Sequence, residues 1–470
     1  MIPRLLQLAL ALFPCLAVCA PAKGDRVYTG DQTSNTVSVI DPSTDTLLGL
    51  IRLGEPVPAA IGPLYKGQLL THGLGFSPDG RTLVAVSIGS NAVSFIDTAT
   101  NTVRGTTYVG RSPHEAFFTP DGREVWVSVR GEDYVSVLDA KTMREMRRIT
   151  TTNGPGMVMF RPDGKYAFVV SSFVPVLTVV DVASHKVVAK VKQASPFSPN
   201  LDVSDDGKEV WFTLKDSGKT QVISAAPPFA TLATLDTGPI TNHVNLVDTP
   251  QGKFAYVTVG GENALKVYRR DGDRALIATV PLGDLPHGLW PSPDGTRLYV
   301  GLENGDAVQV IDTASNKPLK TIKVGQLPQA LVYVPNAVRD GDSRQNLVAL
   351  DTLDGADHIR MQSAPGADAK AAATIVVNRL GLVDQVQIAA SGLTPNAAYQ
   401  LVLEQMSAGN ATRTPLAKLK VSASGIAIAQ AIGPVRSIGN GANAKSAGTW
   451  RLLVVDGDGK PVLQPVGKGP

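Results

Sequence analysis

The chain is almost without cysteine. Only Cys15 and Cys19 occur among its 470 residues, and both lie close to the N-terminus. Cleavage after Ala22 would leave a mature protein with none. That excludes disulfides, thiolate metal sites, c-type haem attachment and a cysteine nucleophile. Stability is then expected from sheet packing alone. A charge excess is also lacking: the formal net charge is +3, too small to point to nucleic acid. Long apolar runs are missing beyond the N-terminus, so no transmembrane segment is expected in the mature chain. Walker, HExxH and G-x-S-x-G motifs are absent from the sequence.

What is present at the N-terminus is Arg4, an apolar run from Leu5 to Val18, and Ala20-Pro21-Ala22 as an A-x-A site. This is the layout of a secretory signal over residues 1–22, which predicts a periplasmic or secreted protein. A lipoprotein signal at Leu16-Ala17-Val18-Cys19 fits less well, because Val18 precedes the cysteine. Glycine (45) and proline (33) are plentiful, as many short strands joined by turns require.

An internal repeat organises most of the chain. Ser77-Pro78-Asp79-Gly80 returns as Thr119-Pro120-Asp121-Gly122, Arg161-Pro162-Asp163-Gly164 and Ser292-Pro293-Asp294-Gly295. Ser204-Asp205-Asp206-Gly207 and Thr249-Pro250-Gln251-Gly252 are degenerate copies, and successive glycines stand 42, 42, 43, 45 and 43 residues apart. Val39-Ile40-Asp41, Phe95-Ile96-Asp97, Val137-Leu138-Asp139, Val179-Val180-Asp181 and Val310-Ile311-Asp312 run in phase with it. Each unit reads as four strands, the spacing of propeller blades.

Six units begin near Thr71, Pro113, Pro155, Ser198, Thr241 and Pro286. A seventh is split, with Arg26 to Gly54 supplying three strands and Gln329 to Val334 the innermost one. Such closure removes the open sheet edge. An insertion from Glu55 to Leu70, carrying Tyr65 and Lys66, reads as a surface loop or a lid over the channel mouth.

The fold expected is therefore all-β: a seven-bladed β-propeller with a split closing blade over residues 23–336. A linker over 337–370 and a small C-terminal β-sandwich over 371–470 follow. These markers resemble the YVTN-repeat propeller family over about residues 26–336. That family includes binding proteins, surface-layer proteins and enzymes on one scaffold, so the resemblance implies fold more than function.

Histidine supplies the functional signal. His185 falls in a turn and His358 in the linker, whereas His72, His114, His243 and His287 all fall at the start of an innermost strand. Gly156, Asn200 and Gln329 fill the other three slots. In a propeller that position rings the axis, and the four histidines form an arc centred on Gln329. Imidazole suits copper, zinc or iron, so these four are candidate metal ligands. Inheritance by duplication and bonding between blades explain the same pattern without a ligand. Gln329, Asn200, Glu115 and Arg130 are the candidate groups for a bound cofactor or anion, with Asn242 and Arg111 near the mouth. Met157 reads as core.

The picture distantly resembles secreted propellers that hold copper or haem on axis, such as nitrous oxide reductase and the haem-binding propellers of nitrite reductases. The extra histidines and the cysteine-containing domain of nitrous oxide reductase are missing, so that activity is not carried over. Propeller lyases and lactonases also place histidine and acidic groups at this mouth. Three functions stay open. One is an exported binding protein with a metal or small molecule at the mouth. Another is a metal-dependent oxidoreductase, or a lyase, using the same histidines. The last is a cell-surface interaction protein with a protein partner on its C-terminal domain.

Overall fold

The computed structural model describes residues 23–54, 69–353, 355–380, 383–407, 410–433, 435 and 450–466. Residues 1–22, read above as a secretory signal, and nearly all of the Glu55–Leu70 insertion lie outside the described residues. Seven four-stranded antiparallel sheets account for the first two thirds of the chain. They are numbered here as blades, with the split blade as blade 1.

The local chemistry of each blade is uniform. Val, Ile, Leu and aromatic residues fill the inner strands, which pack on both faces against neighbouring blades and are buried nearly throughout: Tyr166–Ser171 is wholly buried, and Glu124–Val129 is buried except for Glu124. The outermost strands, such as Thr102–Tyr108 and Lys186–Lys192, are mostly exposed and carry the charge. Polar side chains on these strands suit an edge facing water. Between the first two strands the Pro-Asp-Gly turn closes on itself. In blade 2, Ser77 Oγ donates to Asp79 Oδ1 at 2.6 Å, which also accepts from Arg81 N at 3.1 Å. Gly80 there has φ +71°, a conformation that glycine adopts without strain.

Blade 1 closes the ring as expected. Pro328–Val334 pairs with Arg26–Asp31, so the two ends of the propeller share one sheet. Tyr333 Oη donates to Asp25 Oδ2 at 2.6 Å, joining the two ends through side chains as well.

The second domain is all β, but its eight strands form one continuous sheet rather than two separate layers. Asn410–Lys420 and Ala427–Gly433, at the two ends of that sheet, approach each other and nearly close it. Alternating apolar residues show that one face is buried, and a curled sheet meets that condition as well as a sandwich. The expected linker also holds a strand of this sheet, Asp357–Ser363, paired with Ala372–Leu380 and Pro461–Pro465. Its outward residues include His358 and Arg360, which face the propeller and disguise the strand as polar linker. Earlier in that segment, Val348 exchanges two 2.9 Å backbone bonds with Leu50 on the edge of blade 1.

Candidate functional site

A β-bulge builds the channel mouth. Near the start of the innermost strand, two residues oppose one on the second strand. These pairs are His72-Gly73 in blade 2, His114-Glu115 in blade 3, Asn242-His243 in blade 6 and His287-Gly288 in blade 7. Bulges re-aim side chains and are common beside functional sites. Here they give each blade two positions from which to address the axis.

This register corrects the single-ring expectation. His72, His114, His287 and Gln329 share the first position, with Gly156 and Asn242. His243 occupies the second, with Glu115, Met157 and Asn200. Counting back from the turn hid this, because the first hairpin of blade 6 is longer than its neighbours. The histidines still converge. Ring centroids are 4.3 Å apart for His72 and His114, 6.1 Å for His72 and His287, and 4.6 Å for His243 and His287.

Hydrogen bonds fix the imidazoles. A carbonyl can only accept, so His114 Nδ1 donates to Gly156 O at 2.7 Å and His287 Nδ1 donates to Gln329 O at 3.1 Å. Both rings thus keep a lone pair on Nε2. Asn200 Nδ2 donates to His243 Nδ1 at 3.2 Å, which leaves the proton of His243 on Nε2. His243 Nε2 has no hydrogen-bond partner, and neither do His72 Nδ1, Glu115 Oε1 and Gln329 Nε2, although all are buried. Orphaned buried polar atoms on this scale call for an explanation.

The tightest group is His72, His114 and Glu115. One ligand atom from each lies within 4.8 Å of the others, and Glu115 Oε1 stands 3.7 Å from His72 Nδ1. Gly73 makes the room: a Cβ there would lie 2.7 Å from Glu115 Oε2 and 2.3 Å from His114 O. Two imidazoles and a carboxylate suit a borderline divalent ion. The bond from His114 Nδ1 to a backbone carbonyl is the usual support for a ligating histidine.

Burial keeps these groups neutral. It holds His72, His114 and His243 well below the ordinary histidine range and His287 at about 3, and raises Glu115 to about 8. Glu115 therefore adds pH dependence to the metal-free fold. Its folded pKa is raised, so its contribution is full below about 4.5, shrinks as pH rises, and is gone above about 8. The depressed histidines act in the opposite sense below about 6.5, so the Glu115 part is read as a difference: in thermal melts of metal-free protein, the stability of the parent relative to Glu115→Gln should fall as pH rises from about 4.5 to about 8.

A second set of residues was not foreseen apart from Arg130. Arg130, Lys215 and Glu303 each directly follow the second strand of their blades, in blades 3, 5 and 7. They occupy one repeat position, so the periodicity that found the histidines also marks them. Arg130 and Lys215 stand 5.1 and 5.9 Å from the ring of Phe197, and burial lowers the pKa of both, Arg130 to about 10. Glu303 Oε2 lies 3.9 Å from His287 Nε2. Arg111 plays no comparable part: it is exposed and paired with Glu132 at 2.7 Å. Met157 is buried in the core as expected, with its sulfur 3.2 Å from Asn200 Nδ2.

The C-terminal domain docks at this mouth. Ile240 and Leu285 of the propeller pack with Ala389 and Ile426. Gln387 donates to Glu303 Oε1, and Ser424 Oγ to the carbonyl of Asp216, which adjoins Lys215. His358 bridges Asn304 O at 2.7 Å and Asp306 Oδ2 at 3.1 Å, and its pKa is raised mainly by the bond to Asp306. The contribution of His358 is then full below about 6.5 and is lost as pH rises through the raised folded value. Interdomain amide protection should fall over that range in hydrogen exchange, and His358→Gln should remove the dependence.

Comparison with known proteins agrees with this architecture. No curated protein matches the chain at the sequence level. Among solved structures, a functionally unknown protein from Desulfotomaculum acetoxidans superposes with TM-score 0.56 at 12% identity, covering 66% of this chain and 99% of that one. The periplasmic gluconolactonase of Pseudomonas aeruginosa gives 0.51 at 20% identity, covering 66% and 99%. Hydrazine synthase of Kuenenia stuttgartiensis gives 0.51 at 22% identity, covering 57% and 90%. At these identities the likeness is one of fold. The family description "Lactonase, 7-bladed beta-propeller" matches residues 92–330, half of the chain, with blades 3 to 7 in whole and blades 1 and 2 in part. The chain thus belongs to the seven-bladed β-propeller lactonase family.

Proposed function

We propose that this protein is an exported metal-dependent hydrolase of small lactones, with its centre at the histidine mouth. One observation carries the reading: His72, His114 and Glu115 are buried, their ligand atoms lie within 4.8 Å, and His72 Nδ1 and Glu115 Oε1 have no partner. A divalent copper, zinc or iron ion there would supply Lewis-acid polarisation of an ester carbonyl. The surrounding residues suit the rest of the task. Lactone opening adds water across the acyl–oxygen bond, placing a hydroxyl on the acyl carbon and a proton on the ring oxygen. The product is a hydroxy-carboxylate, and Arg130 and Lys215 are placed to attract its negative charge. His243 Nε2–H and Gln329 Nε2 are free donors that can orient a carbonyl or a hydroxyl. Family membership and the Leu5–Val18 signal support the substrate class and the export.

A second reading, a metal-holding binding protein, is favoured by the C-terminal domain bonded to Glu303 at the mouth. The test is hydrolysis of a sugar-acid lactone, followed by proton release, with metal-loaded and chelated protein. The lactonase reading predicts turnover with metal and none after chelation or in His114→Ala. Bound metal without turnover would favour the binding protein. Turnover that survives both treatments would contradict a metal-dependent centre.

A further inference from the structure

The propeller axis has a second chamber at the end opposite the histidines. It is a cavity of about 370 Å³ lined by Phe76, Met159, Phe160, Trp290, Asp202 and Asn245, among others. That volume falls in the range of small-ligand sites. Trp290 forms one wall. It meets Phe76 edge-to-face at 5.9 Å and packs against three separate core clusters, so its indole reaches from blade 7 across the axis.

The polar groups of this chamber are acceptors. Both oxygens of Asp202 take bonds from neutral donors: Val203 N at 2.8 Å, Leu246 N at 2.8 Å and Asn245 Nδ2 at 3.3 Å. Asn245 is 7% exposed, and its Oδ1 is buried without any partner. Such an orphaned acceptor is costly unless a ligand donates to it. At the rim, Arg270 and Lys253 engage Asp248 and Asp206 at 2.7 and 3.1 Å. Among the described residues, no cation acts on Asp202, and Asp205 makes no ion pair, although the nearby charges of Arg270 and Lys253 act on it. Aromatic faces, a thioether and unpaired carboxylates in one small chamber complement a positive charge on an apolar body.

We propose that this chamber binds a small organic cation, an ammonium carried on an aromatic or aliphatic group. The ammonium would donate to Asn245 Oδ1 and face Asp202 and Asp205, while its apolar part would lie on Trp290, Phe76 and Phe160. Burial raises Asp202 to about 6, so affinity should fall in more acidic solution as that charge is lost. The site is independent of the histidine mouth and of the lactonase reading.

The experiment compares benzylammonium with benzyl alcohol, which share a shape but differ in charge. Binding to the full chain is followed by calorimetry and tryptophan emission. Benzylammonium is expected to bind at least tenfold more tightly than the alcohol. Asp205→Asn, an exposed change that spares the fold, and Asp202→Asn should each weaken it, with metal content unchanged. Equal or tighter binding of benzyl alcohol, failure of benzylammonium to bind, or benzylammonium affinity unaltered in both variants would overturn the proposal.

Discussion

His114→Ala is expected to lower affinity for a divalent transition metal by on the order of 100-fold or more while leaving the propeller folded. Loss of a supporting partner already costs roughly 10–100-fold at metal sites, and His114 would be a direct ligand. The fold tolerates the change because Gly156 and Asn242 occupy the same register position in blades 4 and 6. The ring is also not part of a hydrophobic cluster. Its one hydrogen bond is to Gly156 O, and Ser128 Oγ donates to the same carbonyl at 2.9 Å, so that carbonyl is not left bare. Metal titration by calorimetry, with circular dichroism as the check on folding, measures both halves of the prediction. Unchanged affinity would remove His114 from the ligand set.

Gly73→Ala is expected to damage both the fold and the site. The new Cβ would meet His114 O at 2.3 Å, Glu115 Oε2 at 2.7 Å and Glu115 Cα at 2.9 Å. Two of these atoms are backbone of the adjacent blade, which cannot swing aside as a flexible side chain can. Overpacking of this kind costs about 1–3 kcal/mol. The displaced atoms belong to two of the three candidate ligands, so metal affinity should fall together with stability. Gly457→Ala is the control, since no atom lies within 4 Å of a Cβ there. Denaturant unfolding of the two variants should separate them clearly. Equal stability would mean that blades 2 and 3 are less closely packed than described.

Much of this was legible in the sequence because a propeller is periodic. The Pro-Asp-Gly turns and the Val-Ile-Asp strands located seven blades, and the closure of Arg26–Asp31 with Pro328–Val334 followed from the missing inner strand. The histidine arc was legible for the same reason. The bulge was not, because a shift of pairing register leaves no mark in a count of residues. His243 was therefore placed one position out of register. Lys215 and Glu303 were hidden differently. Each is a lone charge after an ordinary strand, and it joins Arg130 only when residues are counted forward from the turn glycines Gly122, Gly207 and Gly295. In the C-terminal domain, alternation marked a buried face. It carried no information on whether the sheet splits into layers or curls. The strand Asp357–Ser363 was missed because its charged outward face is matched by Asp284 and Asp306, residues distant in the chain.

The central claim is that the mouth of the propeller is a metal centre built from a strand bulge. Anomalous diffraction from crystals of protein purified from its native compartment tests it most directly. The account predicts one strong metal peak at the mouth, about 2.0–2.2 Å from nitrogen of His72 and His114 and from a carboxylate oxygen of Glu115. Crystals with no anomalous peak among these three residues, or with metal bound only elsewhere on the chain, would contradict it.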